Sequence, residues 1–170
     1  LGDVYKRQYM DASMKVIDYV KEVGEYVTTS DGKITASQML ERFLFDGAMQ
    51  WSKIEKLSGG EKRRLYLMRV LMSAPNVLIL DEPTIAQDWK GRQIIGSIIR
   101  SLSGRGKLVI AILHDMDFVA QCFSRVIVLA HGKLLADGTP SEVFVKEDVL
   151  DKAALDMPHP LQLRKVLEKR

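Results

Sequence analysis

Apolar residues return every three or four positions along much of the chain, and in places, 77–80 and 108–113 among them, they run together without interruption. The spaced segments predict amphipathic helices. These are residues 11–27, with Met14, Ile17, Val20 and Val23; 37–45, with Met39, Leu40, Phe43 and Leu44; 59–73, with Leu65, Met68, Leu71 and Met72; and 89–102, with Ile94, Ile95, Ile98, Ile99 and Leu102. The uninterrupted runs, 77–80 and 108–113, are short, which is how parallel strands buried on both faces read. Residues 125–130 predict a third strand, and His131-Gly132 a tight hairpin turn into 133–136. Between these segments, Ser30-Asp31-Gly32 marks a turn within 28–33, and 47–56 reads as a connector packed over Trp51 and Ile54. Asp115 heads a short helix at 115–123. Thr139 caps another, with Pro140 at its first position. Residues 147–155 and 161–170 predict two last helices, joined through Pro158 and Pro160. The alternation of strand and helix across 77–128 predicts an α/β fold with a parallel sheet. A helical segment, 9–73, precedes this core at 74–138, and a helical extension, 139–170, follows it.

Composition narrows the function classes. A chain of 170 residues suffices for a domain with a real core. Its net charge of +3 is too small to argue for nucleic acid or a membrane surface as partner. The single cysteine, Cys122, excludes an intramolecular disulfide and suits a reducing compartment. Its neighbours Phe118, Val119 and Phe123 predict a buried structural thiol. No apolar run approaches the roughly 18 residues that span a bilayer, so a membrane role has to come through a partner.

The candidate chemistry lies within 57–84. Ser58-Gly59-Gly60-Glu61 is a capping box ahead of a helical run. An ordinary capped helix accounts for Ser58 and Glu61 but not for the glycines, each of which costs about 1 kcal/mol relative to alanine inside a helix. Two glycines at a helix start open backbone N–H groups to close approach by an anion, which the helix dipole also favours. Strand 77–80 then runs into Asp81-Glu82-Pro83-Thr84. Ligands of open α/β sheets sit at the carboxyl ends of the strands, and Pro83 biases Glu82 away from helical geometry. Phosphoryl hydrolysis needs a carboxylate to hold Mg²⁺ and a group to orient the attacking water. Taken alone, the acid pair also fits a polar strand-to-loop turn with Thr84 capping a helix.

Leu-Ser-Gly-Gly-Glu followed by Leu-Ile-Leu-Asp-Glu-Pro-Thr resembles the ATP-binding cassette (ABC) ATPase family. The first run matches its signature motif and the second its Walker B motif. His114 matches the family's switch histidine. Asp88 falls at its D-loop aspartate, although Gln87 precedes it where the family usually has leucine. The resemblance implies a partial P-loop NTPase (ABC-type) domain using ATP and Mg²⁺, paired with a second ABC domain as a homo- or heterodimer. Ser58, Gly59, Gly60 and Glu61 would bind the γ-phosphate end of an ATP held by that partner. Asp81 would hold Mg²⁺, Glu82 would polarise the attacking water, Asp88 would communicate across the dimer, and His114 would contact the γ-phosphate. The phosphate-cradling Gly-x-x-x-x-Gly-Lys-Ser/Thr loop is absent. Gly32-Lys33, Gly106-Lys107 and Gly132-Lys133 are each followed by Ile or Leu. Residues 1–8 resemble a translated sequencing adapter rather than native sequence, so Gln8 is not assigned as the family's Q-loop glutamine. The expectation is a fragment cut on its N-terminal side and inactive alone.

Within the family the chain pulls two ways. Residues 9–84 resemble the ABC-F proteins, soluble ATPases that act on ribosomes, on the long stretch before Leu57 and the run Gly60-Glu61-Lys62-Arg63-Arg64-Leu65. Residues 85–170 resemble the ATPases of cobalt or energy-coupling-factor importers, on Ile85-Ala86-Gln87-Asp88, Leu113-His114-Asp115-Met116 and the hairpin from Leu129 to Pro140. Three readings follow. One is a transporter-coupled ATPase subunit, cytoplasmic and peripheral on the inner face of the membrane beside transport subunits. The second is a ribosome-associated factor. The third is an inactive chimera joined near Thr84 and Ile85.

Overall fold

A computed structural model describes residues 10–29, 32–73 and 75–167. The expectations for 1–8, for Ser30-Asp31 and for the last three residues of the predicted helix 161–170 lie outside the described residues. The chain divides into two compact units, Leu1–Asn76 with Ile85–Ile94, and Val77–Thr84 with Ile95–Arg170.

In the first unit α1 is Val16–Lys21, much shorter than the predicted 11–27. The run from Tyr26 is aromatic and β-branched, which favours pairing over helix. It forms β1, Tyr26–Thr29, antiparallel to β2, Gly32–Thr35. The segment expected to hold helices joined by a turn and a connector therefore also contains a hairpin. Thr35 caps α2, Ala36–Arg42, in a capping box with Gln38. The predicted connector holds α3, Gly47–Gln50, and a 3₁₀ turn, Ile54–Lys56. Ile54 is buried as expected, but Trp51 is 63 % exposed, with the Lys15 ammonium 4.9 Å from its ring centre. Buried Gln50 joins α2 to α3, accepting from Ser37 Oγ at 2.7 Å and donating to the Phe45 carbonyl at 3.0 Å. The unit's longest complete helix, α4, is Gly59–Met72. Arg69 on α4 donates to the Tyr19 carbonyl (2.9 Å) and to Glu22 (2.8 Å) while lying over the Tyr19 ring, which pins α1.

The second unit holds β3, Val77–Asp81, parallel to β4, Leu108–Ile112. Helix α5, Trp89–Gly104, lies between them in the chain. The third predicted strand does not extend this sheet. β5, Val126–Ala130, pairs antiparallel with β6, Lys133–Gly138, through His131 and Gly132 at φ +50° and +70°. Two consecutive positive φ values make the turn type that matches strand twist, so β5 finds a local partner at little loop-closure cost. Helices α6 Met116–Cys122, α7 Pro140–Val143, α8 Glu147–Ala153 and α9 His159–Leu167 follow. Thr139 caps α7 with Pro140 at its first position, as predicted. Met116, Val119, Val128, Ala136, Val143, Phe144, Val149 and Leu150 form this unit's core.

Burial of β3 and β4 on both faces is overturned. Leu78 is buried, but Val77, Ile79, Leu108, Ile110 and Ile112 share the opposite face at 46 to 57 % exposure.

Candidate functional site

At the start of α4, Ser58 sits in extended backbone and its hydroxyl accepts from the Glu61 N–H at 3.3 Å. The Glu61 carboxylate accepts from the Ser58 N–H at 2.7 Å. The predicted capping box is thus complete in both directions. An α-helix gives its first N–H groups no intrahelical acceptor, which leaves those of Gly59 and Gly60 to look elsewhere. The two glycines differ. Gly59 is exposed, and a Cβ there would meet nothing within 4 Å. Gly60 is buried, and a Cβ there would lie 2.1 Å from the Ala86 carbonyl oxygen. Gly60 is therefore required by close packing inside the protein, whereas the space around Gly59 is open. Sequence reasoning assigned one anion-binding role to both.

The loop that packs on Gly60 carries Asp88. Ala86 is in left-handed backbone, φ +58°. Asp88 Oδ1 accepts from the Gly91 N–H at 2.7 Å, which caps α5. Gln87 Nε2 donates to the Gly60 carbonyl at 2.8 Å. Arg64, on α4 and buried, reaches Gln87 Oε1 at 3.4 Å and lies 5.3 Å from the Phe45 ring centre. Sequence reasoning saw Gln87 as a departure from pattern but missed this contact. A polar residue in a leucine's place, one helical turn before Gly91, was the available signal.

The second unit brings Glu82 and His114 together. Strand register places Asp81 opposite Ile112, and the Glu82 N–H donates to the Ile112 carbonyl at 3.0 Å. Residues just past the two parallel ends are neighbours as a result, although 32 positions separate them in sequence. Asp115 caps α6 by accepting from the Phe118 N–H at 3.0 Å, which fixes the chain beside His114. His114 Nε2 comes within 3.0 Å of Glu82 Oε1. The approach lacks hydrogen-bond alignment, and Oε1, itself buried, makes no hydrogen bond among the described residues. Glu82 is at φ +47°. Pro83 does keep it from right-handed helix, but the residue goes to the left-handed region, a conformation costing about 1–3 kcal/mol that persists where its surroundings enforce it. Asp81 is exposed at the strand end.

The family model described as ABC transporter matches residues 7–85. An uncharacterized ABC transporter ATP-binding protein of Bacillus subtilis, YfmR, is 44 % identical over 94 % of this chain and 25 % of its own. The energy-coupling factor transporter ATP-binding protein EcfA1 of Mycoplasmoides gallisepticum is 42 % identical over 64 % of this chain and 38 % of its own. EcfA2 of Leuconostoc mesenteroides is 40 % identical over 71 % and 43 %. The chain belongs to the ABC transporter ATPase family. It spans from a quarter to under half the length of these ABC relatives. The alignment with the Bacillus ABC protein covers both sides of Thr84-Ile85, so a join at that point is not needed to explain the chain. The names of these relatives do not support the ribosome-associated reading. No helix among the described residues is long and apolar enough to cross a membrane.

Proposed function

We propose that this chain supplies one side of an ATP-hydrolysing interface between two ABC domains, coupled to membrane transport subunits. The observation that carries the reading is the Glu82–His114 pair: a buried carboxylate oxygen without a hydrogen bond, 3.0 Å from an imidazole, beyond the ends of two parallel strands. A carboxylate with a free lone pair at that edge suits orientation of an attacking water, and His114 suits contact with the γ-phosphate. Asp81, one residue earlier and exposed, suits Mg²⁺, which takes one or two protein carboxylates together with phosphate oxygens and water. The ion would neutralise charge on the transferring phosphoryl group. A three-residue His/Cys/Asp/Glu cluster is absent among the described residues, and Mg²⁺ held largely by substrate does not require one. Ser58 and the open Gly59 would meet the γ-phosphate of an ATP bound by the opposite domain, where the helix start favours an anion. The names of the energy-coupling factor relatives support attachment to membrane subunits.

The chain contains no phosphate-cradling Gly-x-x-x-x-Gly-Lys-Ser/Thr loop. The expected result is that the purified chain neither binds ATP tightly nor hydrolyses it. Paired with an ABC subunit that has an intact loop, it raises ATP turnover, and Glu82→Gln changes that turnover without unfolding the chain. ATPase activity in the isolated chain, abolished by Glu82→Gln, would refute this division of labour.

A further inference from the structure

We propose that Gln87 is a positioning residue that clamps the Asp88 loop to the first turn of α4, so that the two segments facing the partner domain move as one body. Its side-chain amide is used at both ends. Nε2 donates to the Gly60 carbonyl at 2.8 Å, and Oε1 accepts from Arg64 Nη1 at 3.4 Å. Two glycines make room for it. A Cβ on Gly60 would strike the Ala86 carbonyl oxygen at 2.1 Å, and one on Gly91 would lie 2.6 Å from Gln87 Oε1 and 3.0 Å from Asp88 Oδ1. The seat is therefore shaped on both sides for an amide at position 87.

Arg64 shows why the residue is an amide. The residue is 7 % exposed, its Nε has no hydrogen-bond partner among the described residues, and its charge meets the Phe45 ring and Gln87 Oε1. A buried charge needs polar partners. Leucine at position 87 would remove the amide oxygen and leave the Gly60 carbonyl without its second donor. Glutamine satisfies one group on α4's first turn and another one turn later, and both fix the backbone that carries Asp88. Asp88 in turn caps α5.

The role in catalysis rests on the reading that Ser58 and Gly59 meet a partner's ATP; the clamp itself does not. The test uses the full chain with Gln87→Glu, which keeps an acceptor for Arg64 and removes the donor to Gly60, and with Gln87→Leu, which removes both. Amide exchange across 59–62 and 85–91 is measured on the chain alone. Both segments are expected to exchange at least fivefold faster in Gln87→Glu, with the thermal midpoint within a few degrees of the parent. Unchanged exchange in both variants overturns the clamp. The chain is then paired with an ABC subunit that has an intact phosphate loop. The clamp predicts a severalfold fall in kcat for Gln87→Glu with KM for ATP unchanged, and a change in KM alone overturns the positioning role. If the parent chain fails to raise turnover at all, the interface reading fails, and the exchange data still decide whether Gln87 couples the two segments.

Discussion

Gly59 and Gly60 are chemically identical and consecutive, yet their surroundings demand opposite things. Gly59 has open space where a Cβ would go, so Gly59→Ala is expected to stabilise the chain by up to about 1 kcal/mol through helix propensity. Gly60→Ala pushes a Cβ into the Ala86 carbonyl and is expected to cost about 1–3 kcal/mol, as overpacking does. Urea unfolding of the two variants checks both signs, and equal shifts would mean the Ala86 loop does not press on Gly60. At this scale the sequence showed the Ser58–Glu61 capping box and the acids Asp81 and Glu82 at a strand end. It did not show which glycine is open and which is packed against the protein, because that depends on a loop 26 positions away.

Capping chemistry is local and reads directly from sequence. Ser58, Asp115 and Thr139 each cap the helix expected of them. The attachment of α9 is not local. The His159 N–H donates to Asp117 Oδ1 at 2.7 Å, and its ring pairs with Oδ2 of the same carboxylate, 42 positions back. The hydrogen bond and charge of Asp117 raise the His159 pKa. A raised folded-state pKa adds stability that is full below the ordinary imidazole value of about 6.5 and is lost as pH rises through the elevated one. Burial pushes Asp117 up, but its two hydrogen bonds from His159 outweigh this and hold its pKa below the usual carboxylate value. That contribution is present above about pH 4 and is lost as pH falls through the depressed value. Hydrogen exchange in α9 is therefore expected, after correction for intrinsic rates, to be slowest between about pH 4 and 6.5 and to quicken on the alkaline side. His159→Ala should flatten this dependence. A profile unaltered by that change would show that other contacts hold the helix.

The exposed sheet face belongs to the whole molecule. Val77, Ile79, Leu108, Ile110 and Ile112 stand about half exposed on one side of β3 and β4, and covering them would recover about 1 kcal/mol for each side chain. Parallel sheets are ordinarily covered on both faces, and contiguous apolar patches promote association. The chain is expected to bind an environment-sensitive apolar dye and to self-associate with rising concentration. Ile110→Lys should weaken both while leaving helix content intact. Dye binding unmoved by that substitution would place the sticky surface elsewhere. Hydrophobicity along 77–80 and 108–113 announced strands meant for burial, and that inference concerned what the segments need. Whether another layer meets them is a property of the assembled structure.

By itself the sequence determined the segments whose conformation is decided within a few residues. These include the capped starts of α4, α6 and α7, the hairpin at His131-Gly132, the two apolar parallel strands, and the motif pair that marks the family. Only the tertiary structure decided which distant groups meet. It set Glu82 against His114 through strand register, and Gln87 against Gly60 and Arg64 through a left-handed loop. Those contacts join positions far apart in the chain, and their energies depend on where the backbone returns, which no local spacing encodes.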